Sequence, residues 1–222
     1  MKYSGVIFDF NGTLFWDTSL HNKAWRIFLD KYDLHFSDED MFRLFHGKCN
    51  HDIIEEMFQG TIPLEQISEM GIEKERIYQQ ICIQSDLMLA EGAMEFFEML
   101  ADYGVASTIA TASGKENVDF YFDYLGLSRW FDYDKVVYND GTIAGKPAPD
   151  IYLKAISIIK RVPSEVIVFE DAVAGICAAE SANVGRIIIV NSANNDYSIW
   201  NYQKIKSFNE VDRKLFSVYP IL

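Results

Sequence analysis

With 222 residues, 49% hydrophobic and 14% aromatic, the chain can bury a sizeable core as one large domain or as a domain carrying an insertion. Its net charge of -13 argues against a nucleic-acid backbone or an anionic membrane surface as partner, and no apolar run approaches membrane-spanning length. The cysteines Cys49, Cys82 and Cys177 are odd in number, far apart and without a CxxC pair, so a disulfide framework is not expected. No signal-peptide stretch precedes the first strand, and the expected setting is a reducing cytoplasm.

The first element is the apolar run Val6, Ile7, Phe8, which ends in Asp9 and is broken by Phe10, Asn11, Gly12 and Thr13. A buried strand ending on an acid before Asn-Gly-Thr sets that acid at the mouth of a parallel sheet, where open α/β sheets bind ligands. The competing reading is an Asn-Gly turn with Asp9 as an ordinary turn former. Which one holds depends on the partners the rest of the chain supplies.

From about Trp16 to Ser85 the pattern is helical. Asp17 or Thr18 caps a helix carrying His21, Ala24, Trp25, Phe28 and Leu29 on one face. Ser37 starts another, with Asp38, Glu39 and Asp40 at its positive end. The loop Phe45 to His51 leads into a helical run from Asp52 to Phe58, and Ile72 to Leu89 reads as a longer amphipathic helix. Such a series suggests a small bundle.

From Gly92 onward helices and strands alternate. Helices are expected at Ala93–Tyr103, Lys115–Leu125, Pro149–Lys160 and Ala174–Ala182. Strands are expected at Val105–Thr111, within Phe131–Tyr138, at Val166–Phe169 and at Ile187–Val190. This rhythm predicts an α/β fold, a Rossmann-like parallel sheet with helices on both faces. The helical block reads as an insertion after the first strand, leaving 1–15 and 88–222 as the core and 16–87 as the inserted unit. Asn194 to Leu222 is patterned too weakly to assign beyond a closing helix.

Each expected strand end carries a residue suited to phosphate or metal chemistry. They are Asp9, then Thr111 with Ser113 just beyond, then Lys146 in GKPAPDIY, then Glu170 and Asp171 in VIVFEDAVAG. Parallel strands bring these ends to one edge of the sheet. Carboxylates packed together repel unless a cation sits among them, and hard oxygen ligands at a phosphate site favour magnesium.

Together, DFNGTL, the strand ending at Thr111, GKPAPDIY and EDAVAGICAA resemble a haloacid dehalogenase-superfamily phosphotransferase, nearest the β-phosphoglucomutase-like group with a helical cap. The resemblance runs from about Lys2 to Val190. It implies that 16–87 is the cap and that Asp9 attacks phosphorus to form an aspartyl-phosphate. Thr111 would hydrogen-bond the phosphoryl group and Lys146 would neutralise its charge. Glu170, Asp171 and the backbone carbonyl of Asn11 would hold Mg2+ with Asp9, and amides around Asn11 and Gly12 would face phosphate oxygens. The implied partner is a small phosphomonoester, with no nucleic acid and no membrane, on a monomer or weak dimer. Phosphoryl transfer needs mainly positioning and neutralised charge, in agreement with this set.

One residue departs from the pattern. Where the family usually has a second aspartate that moves protons to and from the reacting oxygens, this chain has Asn11, and an amide cannot do that work. Loss of such a group costs roughly 10²–10⁴ in rate. The readings left open are a slow or specialised phosphatase, a phosphoester-binding protein with weak turnover, and an engineered Asn. Relatives without the second aspartate cleave carbon-halogen or phosphorus-carbon bonds. The retained Glu170–Asp171 pair counts against the metal-free dehalogenase branch, and the spacing of Lys48 does not match the lysine of the phosphonate-cleaving one. Substrate choice is expected from His21, Trp25, His46, Gly47, Lys48, Asn50 and His51, with Trp25 weighted toward helix packing. No arginine stands near Asn50, which weighs against β-phosphoglucomutase activity. Asp38–Asp40 and Glu73–Arg76 read as solvated helix faces.

Overall fold

The computed structural model describes residues 3–85 and 88–216. Its strands are β1 (Gly5–Phe8), β2 (Ala106–Ile109), β3 (Val166–Glu170), β4 (Arg186–Val190) and β5 (Gln203–Ile205). They pair in parallel in the order β2-β1-β3-β4-β5. Four helices lie between β1 and the rest of the sheet: α1 (Thr18–Leu29), α2 (Asp38–Leu44), α3 (Asn50–Met57) and α4 (Leu64–Ile83). After them come α5 (Ala93–Asp102), α6 (Lys115–Leu125), α7 (Asp150–Ile158) and α8 (Val173–Ser181). The expected Rossmann-like α/β architecture is the one observed.

β1 and β3 are buried along their whole length, which is why both read as continuous apolar runs. Alternate side chains serve opposite faces of the sheet. Val6, Phe8, Ile167 and Phe169 join one core with residues of α5 and α6, whereas Ile7, Val166 and Val168 join a second with α7 and α8. The first core is aromatic. Phe8 stacks on Phe169 at 5.3 Å between ring centroids and meets Phe97 and Phe131 edge-on. Helices α1 to α4 bury a separate cluster that includes Trp25, Phe28, Met41, Ile54 and Met70. Ala24 of α1 and Tyr78, Ile81 and Cys82 of α4 join the first core instead, so these helices pack both on one another and on the sheet unit.

Four details differ from the expectations. The strand expected within Phe131–Tyr138 reduces to a single parallel bridge between Ala110 and Val137. Asp132 accepts a hydrogen bond from the Asp134 amide and turns the chain into a 3-10 segment at Tyr133–Lys135 instead. The helix expected at Ile72–Leu89 begins at Leu64, directly after Pro63, and ends at Ile83. Gly71 lies inside the helix and does not interrupt it; its backbone lies against Asn50 of α3. Third, the tail carries β5 and short 3-10 turns at Phe208–Glu210 and Arg213–Phe216 where a closing helix was expected. Residues 217–222 of that expectation lie outside the described residues. Finally, α3 begins at Asn50 rather than at Asp52.

Phe8 is fully buried where β1 meets α5 and β3. Phe8→Ala is expected to cost about 3–5 kcal/mol and to lower the melting temperature by about 10 °C in thermal denaturation.

Candidate active site at the carboxyl edge of the sheet

Asp9 follows β1, and its backbone amide donates to Phe169 O at 3.0 Å, so the acid is fixed by the strand pairing itself. Lys146 arrives from the loop before α7 and is 1% exposed. Its Nζ donates to Asp9 Oδ1 at 2.6 Å and to Glu170 Oε1 at 2.5 Å. Tyr152 of α7 donates to the same Glu170 oxygen at 2.8 Å, while Glu170 Oε2 accepts the amides of Asp171 and Ala172, each at 2.8 Å. Gly175 makes this possible: a Cβ there would stand 1.5 Å from Glu170 Oε1. Asp171 Oδ1 accepts from Thr13 Oγ1 at 3.3 Å.

Three carboxylates thus gather around one ammonium. Oxygens of Asp9, Glu170 and Asp171 lie within 4.8 Å of one another, all three residues buried. Burial and the neighbouring Glu170 push the Asp9 carboxyl up to about 7 despite the pull of Lys146. Burial, Asp9 and Glu170 likewise push Asp171 well above the usual carboxylate range. Burial alone would lower the Lys146 ammonium, but the Asp9 and Glu170 charges hold it above its ordinary value. One lysine does not balance three acids. The remaining negative charge, offered by hard oxygen donors, suits a small divalent cation.

Asn11 is engaged on every side. Its Nδ2 donates to Asp17 Oδ2 at 2.7 Å and to the Tyr121 hydroxyl at 2.8 Å. Its Oδ1 accepts from Ser113 Oγ at 2.9 Å and from Thr111 Oγ1 at 3.5 Å. Gly12 adopts φ +77°, as a tight turn there requires. The Gly12 amide donates to Phe15 O and to Asp17 Oδ1, and the residue does not line the cavity described next.

A cavity of about 610 Å³ opens between this edge and helices α1, α3 and α4. Asp9, Asn11, Thr111, Ser113 and Asp171 line its floor, whereas Lys146 and Glu170 lie beneath the surface. His21, Gly47, Lys48 and Asn50 line its walls, as do Trp25, His46 and His51. Lys48 pairs with Glu56 at 2.7 Å. Trp25 is 3% exposed and packs in the helical core while touching the cavity. Gly47, at φ +77°, lies so near the sheet edge that a Cβ would come within 2.7 Å of Ala172 Cβ.

The solvated-face reading of Glu73–Arg76 is corrected at its centre. Lys74 is 1% exposed, and its Nζ lies 2.9 Å from both Glu75 Oε1 and His21 Nδ1, over the face of Trp25. Glu75 also accepts from Asn50 at 2.6 Å and from Asn117 at 2.7 Å. Burial would raise its carboxyl, but Lys74, His21 and these amides bring it down to about 2. The longer α4 turns Lys74 and Tyr78, one helical turn apart, toward α1. Sequence reasoning missed Asp17, Tyr78, Tyr121, Asn117 and Glu75 as site neighbours. Only Tyr152 carried a signal, its place in GKPAPDIY.

The comparisons with known proteins agree with the fold. A haloacid dehalogenase-like hydrolase family model matches residues 3–183. A crystal structure of an HAD hydrolase of family IA, variant 3, from Entamoeba histolytica matches 96% of this chain and 97% of its own, with TM-score 0.86 and 35% identity. A phosphorylated carbohydrates phosphatase from Thermotoga maritima is 29% identical over 194 residues, covering 85% of this chain and 86% of its own length. A fructose-1-phosphate phosphatase from Escherichia coli is 28% identical over 190 residues, covering 84% and 96%. With its sheet order, its cluster of acids and a family match across most of its length, this chain belongs to the haloacid dehalogenase-like hydrolases.

Proposed function

We propose that the protein is a Mg2+-dependent phosphatase that hydrolyses a small phosphomonoester, a sugar phosphate or similar, through an aspartyl-phosphate at Asp9. The observation that carries this reading is the cluster of Asp9 and Asp171 at the floor of the cavity with Lys146 and Glu170 directly beneath them. Relatives named for phosphorylated carbohydrates and for fructose 1-phosphate support the substrate class. The division into a core of 1–15 and 88–222 and a cap of 16–87 belongs to the same proposal. It is supported by the separate apolar cluster of α1 to α4 and by the cavity between the two parts.

Asp9 Oδ attacks phosphorus as the bond to the leaving oxygen breaks, and water then releases phosphate from the acyl phosphate. Lys146 keeps Asp9 oriented and offsets charge on the transferring group, while Thr111 and Ser113 offer hydroxyls at the same edge. Asp9, Glu170, Asp171 and the Asn11 carbonyl would hold Mg2+, which when bound supplies positive charge to the phosphate oxygens. The cavity walls exclude water and carry Lys48, Asn50 and Glu75 toward the substrate body. A binding protein with impaired turnover is the second reading, favoured by an Asn11 amide wholly engaged within the protein.

Phosphate release from a panel of sugar phosphates and nucleotides, with Mg2+ and with chelator, tests the proposal. The expected result is hydrolysis that needs Mg2+ and falls by at least about 10³ in Asp9→Asn, the nucleophile being lost. Full activity in Asp9→Asn, or in chelator, would overturn it.

A second prediction follows from the Asp9 carboxyl, raised from 3.8 to about 7. A carboxyl raised on folding stabilises the protein below its unfolded value and loses that contribution as pH rises through the folded one. Without divalent cation, the melting temperature is therefore expected to decline between about pH 4 and pH 7. Asp9→Asn is expected to flatten that decline and to melt about 5 °C above the native chain at pH 8.

A further inference from the structure

The carboxylate absent at position 11 has a neighbour that explains the absence. Asp17 is 0% exposed, yet its oxygens accept from Asn11 Nδ2 at 2.7 Å, from the Gly12 amide at 3.0 Å and from the Tyr78 hydroxyl, with His21 Nε2 at 3.3 Å. The donors form a closed circuit. Asn11 Nδ2 donates to Tyr121, Tyr121 donates to Tyr78 at 3.3 Å, and Tyr78 donates to the same Asp17 oxygen that Asn11 meets directly. Burial and Asp17 raise both tyrosines well above their ordinary values, so each keeps its proton to donate.

We propose that Asp17 is a positioning residue paired with Asn11, and that this site tolerates a carboxylate at 11 or at 17 but not at both. The pairing fixes the orientation of the Asn11 amide. An acceptor at 17 demands the NH2 group on its side, so Oδ1 faces the hydroxyls of Thr111 and Ser113 at the sheet edge. A turned amide would set oxygen against oxygen at 2.7 Å. Aspartate at 11 would do the same, setting two buried carboxylates against each other beside the His21 imidazole. The inference places charge at this motif one hydrogen bond away from position 11. It deepens the phosphatase reading and rests on that reading only for its kinetic arm.

The test is a four-chain cycle: native, Asn11→Asp, Asp17→Asn and the double exchange, each measured for melting temperature and for Mg2+-dependent hydrolysis of p-nitrophenyl phosphate. Asn11→Asp alone is expected to melt about 10 °C lower and to gain no activity. The double exchange, with amide and carboxylate traded across the same contact, is expected to melt within about 3 °C of native, a non-additive return. Its kcat is expected to exceed that of Asn11→Asp by about tenfold or more at similar KM, because the carboxylate at 11 is then oriented. Three results would overturn the proposal: Asn11→Asp with native stability, additive melting shifts, or, where the native chain does release phosphate, recovered melting with kcat no better than in the single variant. If none of the four chains, native included, releases phosphate while the melting return holds, the phosphatase reading fails and the pairing stands.

Discussion

Keeping three carboxylates buried beside a single ammonium is the constraint on which the rest of the site depends. Asp9, Glu170 and Asp171 come from the ends of two neighbouring strands, and Lys146 reaches them from the loop before α7. No single segment of chain supplies more than two of these groups. The sheet register must therefore be correct before any charge is balanced, and a slip of one residue would turn each acid to the opposite face. Glu170 shows how closely the backbone attends to this. Two amides at the start of α8, a lysine and a tyrosine hydroxyl engage its two oxygens, and the bare Cα of Gly175 leaves room for them.

A second polar layer ties the inserted helices to the same edge. α4 contributes Lys74, Glu75 and Tyr78, α3 contributes Asn50, and α6 of the sheet unit contributes Asn117 and Tyr121. These side chains are joined through Glu75 and Asp17, so the cavity wall and the motif after β1 share one hydrogen-bond network. A wall built this way is polar and hydrogen-bonded from side to side of the cavity.

The residues of the acid cluster were legible in the sequence because parallel strands deliver their ends to a common edge. Asp9, Lys146, Glu170 and Asp171 each close or follow a segment with a clear apolar or Gly-Pro signal. The second layer was not legible for a matching reason. Asp17 and Glu75 look like any acid near a helix start or on a helix face, and Lys74 is set apart from exposed lysines by partners distant in sequence, the ring faces of Trp25 and Tyr78 and the His21 imidazole, together with Glu75. Those contacts depend on how α4 lies against α1, which the expected helix, begun at Ile72 instead of Leu64, does not convey. Pro63 sets the helix start, whereas Gly71 sits inside a turn that packing against α3 sustains. The lost strand near Val137 has a similar cause: its apolar residues are buried, but Asp132 diverts the backbone before a ladder can form.

The register of β1 also bears on how the chain acquires its shape. Gly5 pairs with Ala106 on one side and with Val166 on the other, so this interior strand has no partner close to it in sequence. Helices α1 to α4, in contrast, pack with neighbours from the same stretch and close shorter loops, such as the one between His21 and Lys74, 53 residues apart. Closing long loops before any pairing compensates for them is slow, and non-local parallel sheets form late for that reason. Asp9 thus leaves the ribosome well before Lys146, Glu170 and Asp171, the groups it will meet. The helical unit can assemble ahead of the sheet edge it will cover.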